Sequence, residues 1–171
     1  LNLFPNAHFW MQRREMASIT GPDMTYPRIR GSYQMDEAQR LVELVYEDRL
    51  TFLDGDGTFA PGVDYILTAG HSAGQTALFV ETTNGRLLLA SDAVHYYVEF
   101  RDELPFAAFN DMKAMLASLR RVKALVGGDM DRMIPGHDPL VSTRYPAETT
   151  LADGTAAAIR LDLPPTKPLD L

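Results

Sequence analysis

The sequence contains no cysteine, and this absence removes three kinds of chemistry at once. Disulfide bonds, thiolate metal sites and a cysteine nucleophile are all excluded. Any metal ion bound by this chain must therefore be held by histidine, aspartate or glutamate. A chain without disulfides suits a reducing compartment, and we predict a cytoplasmic location.

Long apolar runs and clusters of basic residues are also missing. No stretch approaches the roughly 18 uninterrupted apolar residues that a membrane helix needs, so no membrane span is expected. The chain has 16 Lys and Arg against 23 Asp and Glu, which gives a net charge of -7. We therefore expect neither nucleic acid nor an anionic membrane as a partner.

The length and composition fit one globular domain. The 171 residues are 46% hydrophobic and 23% charged, which is ordinary for a chain with a single core. Apolar periodicity fades after Pro146, and residues 163–168 are rich in proline. We predict one domain over residues 1–146 and an extended C-terminal tail over residues 147–171.

Turn signals and apolar periodicity divide the domain into strands and two long helices. Asp36 and Asn110 are the predicted N-caps of the helices, and Asn84-Gly85 predicts a tight hairpin. Residues 13–35 are expected to be a mixed region that runs over the surface, punctuated by Gly21-Pro22, Pro27 and Gly31. The predicted strands cover residues 7–12, 50–53, 63–68, 75–81, 86–91 and 132–134. This order predicts a layered α/β or α+β domain.

Three potential metal ligands, His71, Asp92 and His137, each follow a predicted strand. A glycine precedes each of the two histidines, where it allows a sharp turn and a close approach of the backbone. Taken singly, such residues are more typical of surface loops or turn caps. If the three strand ends meet at one edge, however, the side chains converge, and imidazole and carboxylate suit Zn²⁺ and similar ions.

Three segments resemble sequence motifs of the metallo-β-lactamase superfamily. Residues 68–75 resemble its TPGHSPGH segment, residues 90–93 resemble its bridging-aspartate strand, and residues 134–138 resemble its last histidine loop. Within the superfamily, the N-acyl homoserine lactonases are the most similar group. Further segments that carry this likeness are 3–7, 12–15 and 102–107. The resemblance implies an α/β fold, the αββα metallo-β-lactamase sandwich, of which this chain is mainly the C-terminal half.

The resemblance also implies a metal site and a reaction. His71 would bind one divalent ion, His137 the other, and Asp92 would bridge both. Zinc is the expected metal, with Mn, Fe or Co as alternatives. The implied reaction is the opening of a lactone ring by a metal-bound hydroxide, with a role in quorum quenching. The expected substrate is a small-molecule lactone or a related ester.

The position three residues after Asp92 carries a substrate-contacting tyrosine in several lactonases. Here it is His95, followed by Tyr96 and Tyr97. Any of the three side chains could donate a hydrogen bond to the developing oxyanion. The alternative is that they pack the structure or support the metal ligands.

One departure from the family pattern concerns its His-x-His-x-Asp-His motif, which supplies four further ligands and the proton donor. That motif does not occur in these 171 residues, and only His8 and His95 remain as further histidines. His8 is expected to have a structural role within a strand. Because the chain also begins with Leu1, we expect a missing N-terminal half or a partner chain, and possible homodimers.

These considerations predict that the 171 residues alone bind metal poorly and turn over little. Two alternatives remain open. The chain could belong to another hydrolase of the same fold, such as a glyoxalase II-type thioesterase or a β-lactamase, or it could be a non-catalytic, partner-binding half-domain.

Overall fold

The computed structural model describes residue 1, residues 3–152 and residues 156–171. Asn2 of the predicted domain and residues 153–155 of the predicted tail lie outside the described residues. The described helices are α1 (Arg13–Ile19), α2 (Pro27–Arg30), α3 (Met35–Tyr46), α4 (Tyr97–Asp102), α5 (Met112–Leu125) and α6 (Leu140–Arg144). The described strands are β1 (Phe9–Gln12), β2 (Leu50–Leu53), β3 (Gly57–Ala60), β4 (Val63–Leu67), β5 (Thr76–Thr82), β6 (Gly85–Ser91), β7 (Met133–Pro135), β8 (Ala147–Thr150) and β9 (Ala156–Ile159).

The main sheet has five strands in the order β3-β4-β5-β6-β7. Neighbours from β3 to β6 are antiparallel, whereas β6 and β7 are parallel. Strands β4, β6 and β7 therefore run in the same direction, and their carboxyl ends lie at the same edge of the sheet. The predicted hairpin at Asn84-Gly85 is confirmed, since Thr82 pairs with Gly85 at the turn and Gly85 has a φ of 94°.

Helix α5 packs its apolar face on this sheet. Met115, Leu119 and Val122 are buried on the helix, and the last two join a core made by the sheet and α4. The helix is capped by Asp111, whose side chain accepts a hydrogen bond from the backbone of Ala114. The predicted cap, Asn110, is one residue too early. Its own backbone N–H instead donates to the carbonyl of Gly70.

The region over residues 13–35, which was expected to be mixed, is built mostly from three helical elements. They contain α1, a 3₁₀ turn over Pro22–Thr25 and α2. Pro22 and Pro27 stand at the starts of the last two elements, where the missing N–H of proline costs no hydrogen bond. The same prolines that indicated loops in the sequence therefore begin helical turns.

The predicted extended tail contains regular structure. Strands β8 and β9 pair antiparallel, and the chain then returns to the domain. The backbone and hydroxyl of Thr166 both donate to the carbonyl of Arg144, at 2.7 and 3.0 Å. Contacts between residues so far apart in sequence leave no periodic signal. The domain boundary at residue 146 stays a prediction.

No helix in the described part of the chain combines the length and apolarity needed to cross a membrane. The cytoplasmic location stays a prediction.

Arg144 is the largest fully buried side chain of the described structure, with an exposure of 2%. Its guanidinium lies over the rings of Tyr97 and Tyr145, 5.1 and 5.9 Å from their centroids. It forms an ion pair with Asp131, whose own side chain is half exposed. A buried cation thus depends on a single carboxylate that reaches it from the surface.

This arrangement predicts an asymmetric pair of substitutions. Asp131→Asn removes the counter-ion and leaves the buried charge, so it should lower the free energy of unfolding by about 3 kcal/mol. Arg144→Met removes the charge and keeps much of the apolar stem, so it should cost about 1 kcal/mol. Urea unfolding of both variants and of the double variant tests this. The double variant should resemble Arg144→Met, and a smaller cost for Asp131→Asn than for Arg144→Met would contradict it.

Candidate metal centre

His71, Asp92 and His137 converge at the edge where β4, β6 and β7 end. Asp92 directly follows β6, His137 lies two residues after β7, and His71 lies in the loop that follows β4. The Nε2 atom of His137 lies 2.7 Å from Oδ1 of Asp92. The Nε2 atom of His71 lies 3.8 Å from Oδ2 of the same carboxylate. Each oxygen of Asp92 thus faces a different imidazole.

The two glycines before the histidines stand where the backbone is tightly packed. A Cβ atom on Gly136 would lie 2.7 Å from the carbonyl oxygen of Ser91, at the end of β6. Gly70 has a φ of 141°, and a Cβ atom there would collide with the backbone of Met115 in α5. The predicted close approach is therefore present at both positions. Ser91 itself has a left-handed φ of 48°, which turns the chain as it enters Asp92.

The imidazole of His71 is oriented by a backbone carbonyl. Its Nδ1 atom lies 2.9 Å from the carbonyl oxygen of Ala108. Because a carbonyl only accepts, Nδ1 carries the hydrogen and Nε2 presents its lone pair toward Asp92. Metal-binding histidines usually have such an outer partner on the second nitrogen.

The loop that carries His71 is held from two sides. On one side, the backbone N–H groups of Asn110 and Asp111 donate to the carbonyl of Gly70 at 2.8 and 3.0 Å. On the other side, the Glu15 carboxylate accepts hydrogen bonds from the backbone of Gly74 and from the hydroxyl of Tyr33. Burial, followed by the nearby negative charge of Glu15, raises the pKa of the Tyr33 hydroxyl, so Tyr33 remains a neutral donor.

His95 lies in the middle of the cluster. It is buried, with its ring centroid 5.2 Å from that of His71, 5.1 Å from that of His137 and 4.0 Å from that of Phe106. Burial lowers the pKa of His95 and outweighs the opposite effect of Glu99. The ring is therefore neutral at neutral pH, which is the form that binds metals.

The structure separates the two tyrosines that follow. Tyr96 is half buried, and its ring centroid lies 6.3 Å from that of Phe106 beside the cluster. Tyr97 is fully buried under Arg144, and its hydroxyl has no hydrogen-bond partner in the described structure. Tyr97 therefore does not reach the site. Its side chain is buried in the core at the start of α4. Its backbone N–H donates a hydrogen bond of 3.0 Å to the carboxylate of Asp138.

His8 lies outside the cluster. It is exposed, its Nε2 atom is 2.8 Å from the hydroxyl of Thr51, and it precedes β1 rather than lying within it. His8 thus ties the start of β1 to β2.

A cavity of about 370 Å³ opens beside the cluster. Its lining includes His71 and Asp92, together with residues from α2, from the segment after α2, from the loop that carries His71 and from the 108–110 loop. These are Arg28, Ile29, Ser32, Tyr33, Ser72, Gln75, Ala108, Phe109 and Asn110. The sequence does not indicate this wall, because turn signals punctuate residues 13–35 and α2 is only four residues long. A larger and more open cavity of about 650 Å³ lies near β3 and the end of α5, but its lining holds no histidine.

The donor set fits a divalent metal ion. Three imidazoles and one carboxylate are the ligand types that zinc takes in proteins, and three protein ligands with one open position are typical of its catalytic sites. The orientation of His71 by a carbonyl is independent support, because it fixes the nitrogen that must carry the lone pair.

Comparison with known proteins agrees with this geometry. The model of the Metallo-beta-lactamase superfamily matches residues 2–137. The chain belongs to the metallo-β-lactamase superfamily. The match includes His71, Asp92 and His137, and the αββα fold class predicted from the motifs is confirmed.

Curated relatives include an N-acyl homoserine lactonase of Bacillus thuringiensis, which is 40% identical over 87 residues, covering 50% of this chain and 34% of that protein. The corresponding protein of Bacillus cereus is 39% identical over the same length and with the same coverage. The chain thus spans about a third of the length of these relatives.

Solved structures give a longer match. An N-acyl homoserine lactone hydrolase with the product N-hexanoyl-L-homoserine bound at its catalytic metal centre has a TM-score of 0.68 and 29% identity, covering 83% of this chain and 51% of that one. A variant of the Bacillus thuringiensis lactonase AiiA, with N-decanoyl-L-homoserine at its active site, gives the same values. The hydrolase AbOPH of the beta lactamase superfamily, at 19% identity and a TM-score of 0.57, with 90% of this chain and 54% of that chain covered, shares the fold.

Proposed function

We propose that this chain forms part of the metal centre of a lactonase that opens N-acyl homoserine lactones or closely related lactones. One observation carries the proposal: the three family ligands lie together in a chain that is 40% identical over half its length to N-acyl homoserine lactonases. The chain spans only about a third of the length of those relatives, so the activity of the whole protein needs its own test.

Each residue of the cluster has a role in this proposal. His71 would hold one divalent ion, His137 would hold the second, and Asp92 would contribute to both. When bound, such ions lower the pKa of water to about 7 and stabilise negative charge on a carbonyl oxygen. Zinc is the first choice, and Mn, Fe or Co are alternatives.

The cavity beside His71 is the proposed substrate site. Its volume of about 370 Å³ lies in the range of about 300–1,000 Å³ of small-molecule sites. Ile29 and Phe109 supply apolar surface for an acyl chain, and Arg28 supplies N–H donors for carbonyl groups, whereas the O–H of Tyr33 is already donated to Glu15. The guanidinium of Arg28 already donates to the carbonyl of Ala107 at 3.1 Å, which fixes it against the loop that orients His71.

His95 or Tyr96 would donate a hydrogen bond to the oxyanion that develops on the lactone carbonyl. Both lie at the cluster, whereas Tyr97 is enclosed by the core. Tyr97 is therefore not part of the proposed machinery.

The 171 residues should hydrolyse lactones slowly by themselves and faster when the His-x-His-x-Asp-His motif is supplied. The supplement is a polypeptide corresponding to the remainder of the Bacillus thuringiensis lactonase, of which the match covers 34%. We expect a gain of more than about 100-fold with N-hexanoyl homoserine lactone, or about 2.7 kcal/mol in the barrier.

Rates on a lactone, a glutathione thioester and a β-lactam are compared in the same mixture, and the supplement alone is the control. A full rate without the supplement would contradict the ligand assignment. A mixture that cleaves the thioester or the β-lactam faster than the lactone would replace the lactonase proposal with one of the other hydrolases.

A further inference from the structure

His95 has the surroundings of a metal ligand rather than those of a residue that only contacts substrate. One ring nitrogen of His95, one oxygen of Asp92 and one ring nitrogen of His137 all lie within 4.8 Å of one another. Zinc holds its nitrogen and oxygen ligands at about 2.0–2.2 Å, so ligand atoms around one ion are about 3–4 Å apart. The spacing of the three atoms is therefore within about an ångström of the spacing around one zinc ion.

A buried carboxylate supports His95 from behind. Glu99 lies one helical turn along the chain, and its Oε2 atom accepts a hydrogen bond of 2.8 Å from the backbone N–H of His95. The same oxygen lies 3.5 Å from Nδ1 of the neutral ring but is not aligned as a hydrogen bond, so Nδ1 has no partner in the described structure. Glu99 thus faces Nδ1, and Nε2 is the nitrogen left for an ion. Pairs of carboxylate and ligating histidine are common around zinc.

The backbone around His95 is equally constrained. The carbonyl of His95 accepts a hydrogen bond of 3.0 Å from the backbone N–H of His137, and the carbonyl of Val94 accepts one of 3.0 Å from Gly136. The loops that carry the two histidines are therefore joined along their backbones. A ligand set that spans these two loops is held in register without any contribution from another segment.

We infer that His95 is a metal ligand positioned by Glu99, and that His95, Asp92 and His137 bind one divalent ion within these 171 residues. Two imidazoles and one carboxylate give three protein ligands and leave one position open, as in catalytic zinc sites. The inference concerns metal binding alone and does not depend on the lactone. It revises the expectation that the 171 residues alone bind metal poorly, and it leaves Tyr96 as the proposed oxyanion donor.

The decisive measurement uses the unmodified chain. The metal-free 171-residue protein, labelled with ¹⁵N, is titrated with Zn²⁺ while the ring nitrogens of its four histidines are followed by NMR. We expect saturation at one equivalent and large shifts, typical of a ligated nitrogen, for His95 and His137. His8 is the internal control and should not move. Absence of stoichiometric binding, or a His95 ring whose nitrogens stay unshifted at saturation, would overturn the inference.

Substitutions give the second readout, with affinity measured by calorimetry and folding by urea unfolding. His95→Phe keeps a ring against Phe106 and should weaken zinc binding by more than about 100-fold, beyond the about 10–100-fold cost of losing an outer partner. Glu99→Gln keeps an acceptor for the backbone and should weaken binding by about 10-fold. His8→Ala should match the unmodified chain.

Equal affinity of His95→Phe and the unmodified chain would also refute the assignment. If a variant fails to fold, the NMR titration of the unmodified chain decides. A chain that binds zinc through His95 but never hydrolyses a lactone after complementation would refute the proposed function and leave this inference intact.

Discussion

Gly70→Ala is expected to lower the free energy of unfolding by about 4 kcal/mol. Two costs add at this position. A φ of 141° is a conformation that side chains with a Cβ atom rarely adopt, at about 1–3 kcal/mol. The new methyl group would also collide with the backbone of Met115, and overpacking of this kind costs about 1–3 kcal/mol. Neither α5 nor the sheet can yield easily, because Leu119 and Val122 fix the helix on the core.

Gly127→Ala is the matched control. Gly127 also has a positive φ, 65°, but no atom lies within 4 Å of the position that its Cβ would take. Only the backbone strain remains there, about 1 kcal/mol. Urea unfolding of the two variants measures the difference, which isolates the contact with Met115. Equal costs would mean that the helix and the His71 loop are not packed as described.

The same substitution links packing to the site. Gly70 directly precedes His71, and its carbonyl receives the two N–H groups that hold the loop. Any displacement that relieves the collision therefore changes the position of His71 relative to Asp92. We expect the folded fraction of Gly70→Ala to hydrolyse the lactone more slowly after complementation than Gly127→Ala does.

The convergence of His71, Asp92 and His137 could be predicted from the sequence because its signals are local. A glycine and a histidine after an apolar strand occupy a few consecutive residues, and the Asn84-Gly85 hairpin fixes the relative direction of β5 and β6. The three proposed ligands meet at one sheet edge once β4 pairs antiparallel with β5 and β7 pairs parallel with β6. The structure agrees with this part of the reasoning in the distances between Asp92 and the imidazoles of His137 and His71.

The supports of the site could not be predicted, because they join distant parts of the chain. Glu15 reaches Gly74 across 59 residues, and His71 reaches Ala108 across 37. Neither contact has a periodic or motif signal. Glu99 is different, since it lies four residues after His95. A helix predicted over Tyr97–Asp102 would have indicated, from that spacing, a side chain one turn away from the imidazole.

The prolines of residues 13–35 explain why the cavity wall was not predicted. In the sequence, Pro22 and Pro27 indicate turns, yet each begins a helical turn. The physical reason is that proline is unfavourable inside a helix but compatible with its first positions. Arg28 and Tyr33, which line the cavity, were therefore missed as candidates for substrate contact.

Asp92→Asn is expected to abolish both zinc binding and lactone hydrolysis while leaving the fold intact. Asp92 is the one carboxylate of the cluster, and its two oxygens face His137 and His71. An amide keeps the shape and can still pair with the imidazole of His137, so the free energy of unfolding should change by less than about 1 kcal/mol. The charge that offsets a divalent cation is lost, however, and one of the two donor atoms becomes an NH₂ group with no lone pair to offer.

Calorimetry with Zn²⁺ and the complemented lactonase assay give the two readouts. Affinity should fall by more than about 100-fold, exceeding the loss of an outer partner, and the rate should fall with it. Asp102→Asn is the control, because Asp102 is a carboxylate on the surface whose partner is Arg101 at 2.7 Å. If Asp92→Asn retains zinc, the ion is not held by the cluster around Asp92. If it loses zinc yet keeps its rate, hydrolysis by this chain does not use the cluster at all.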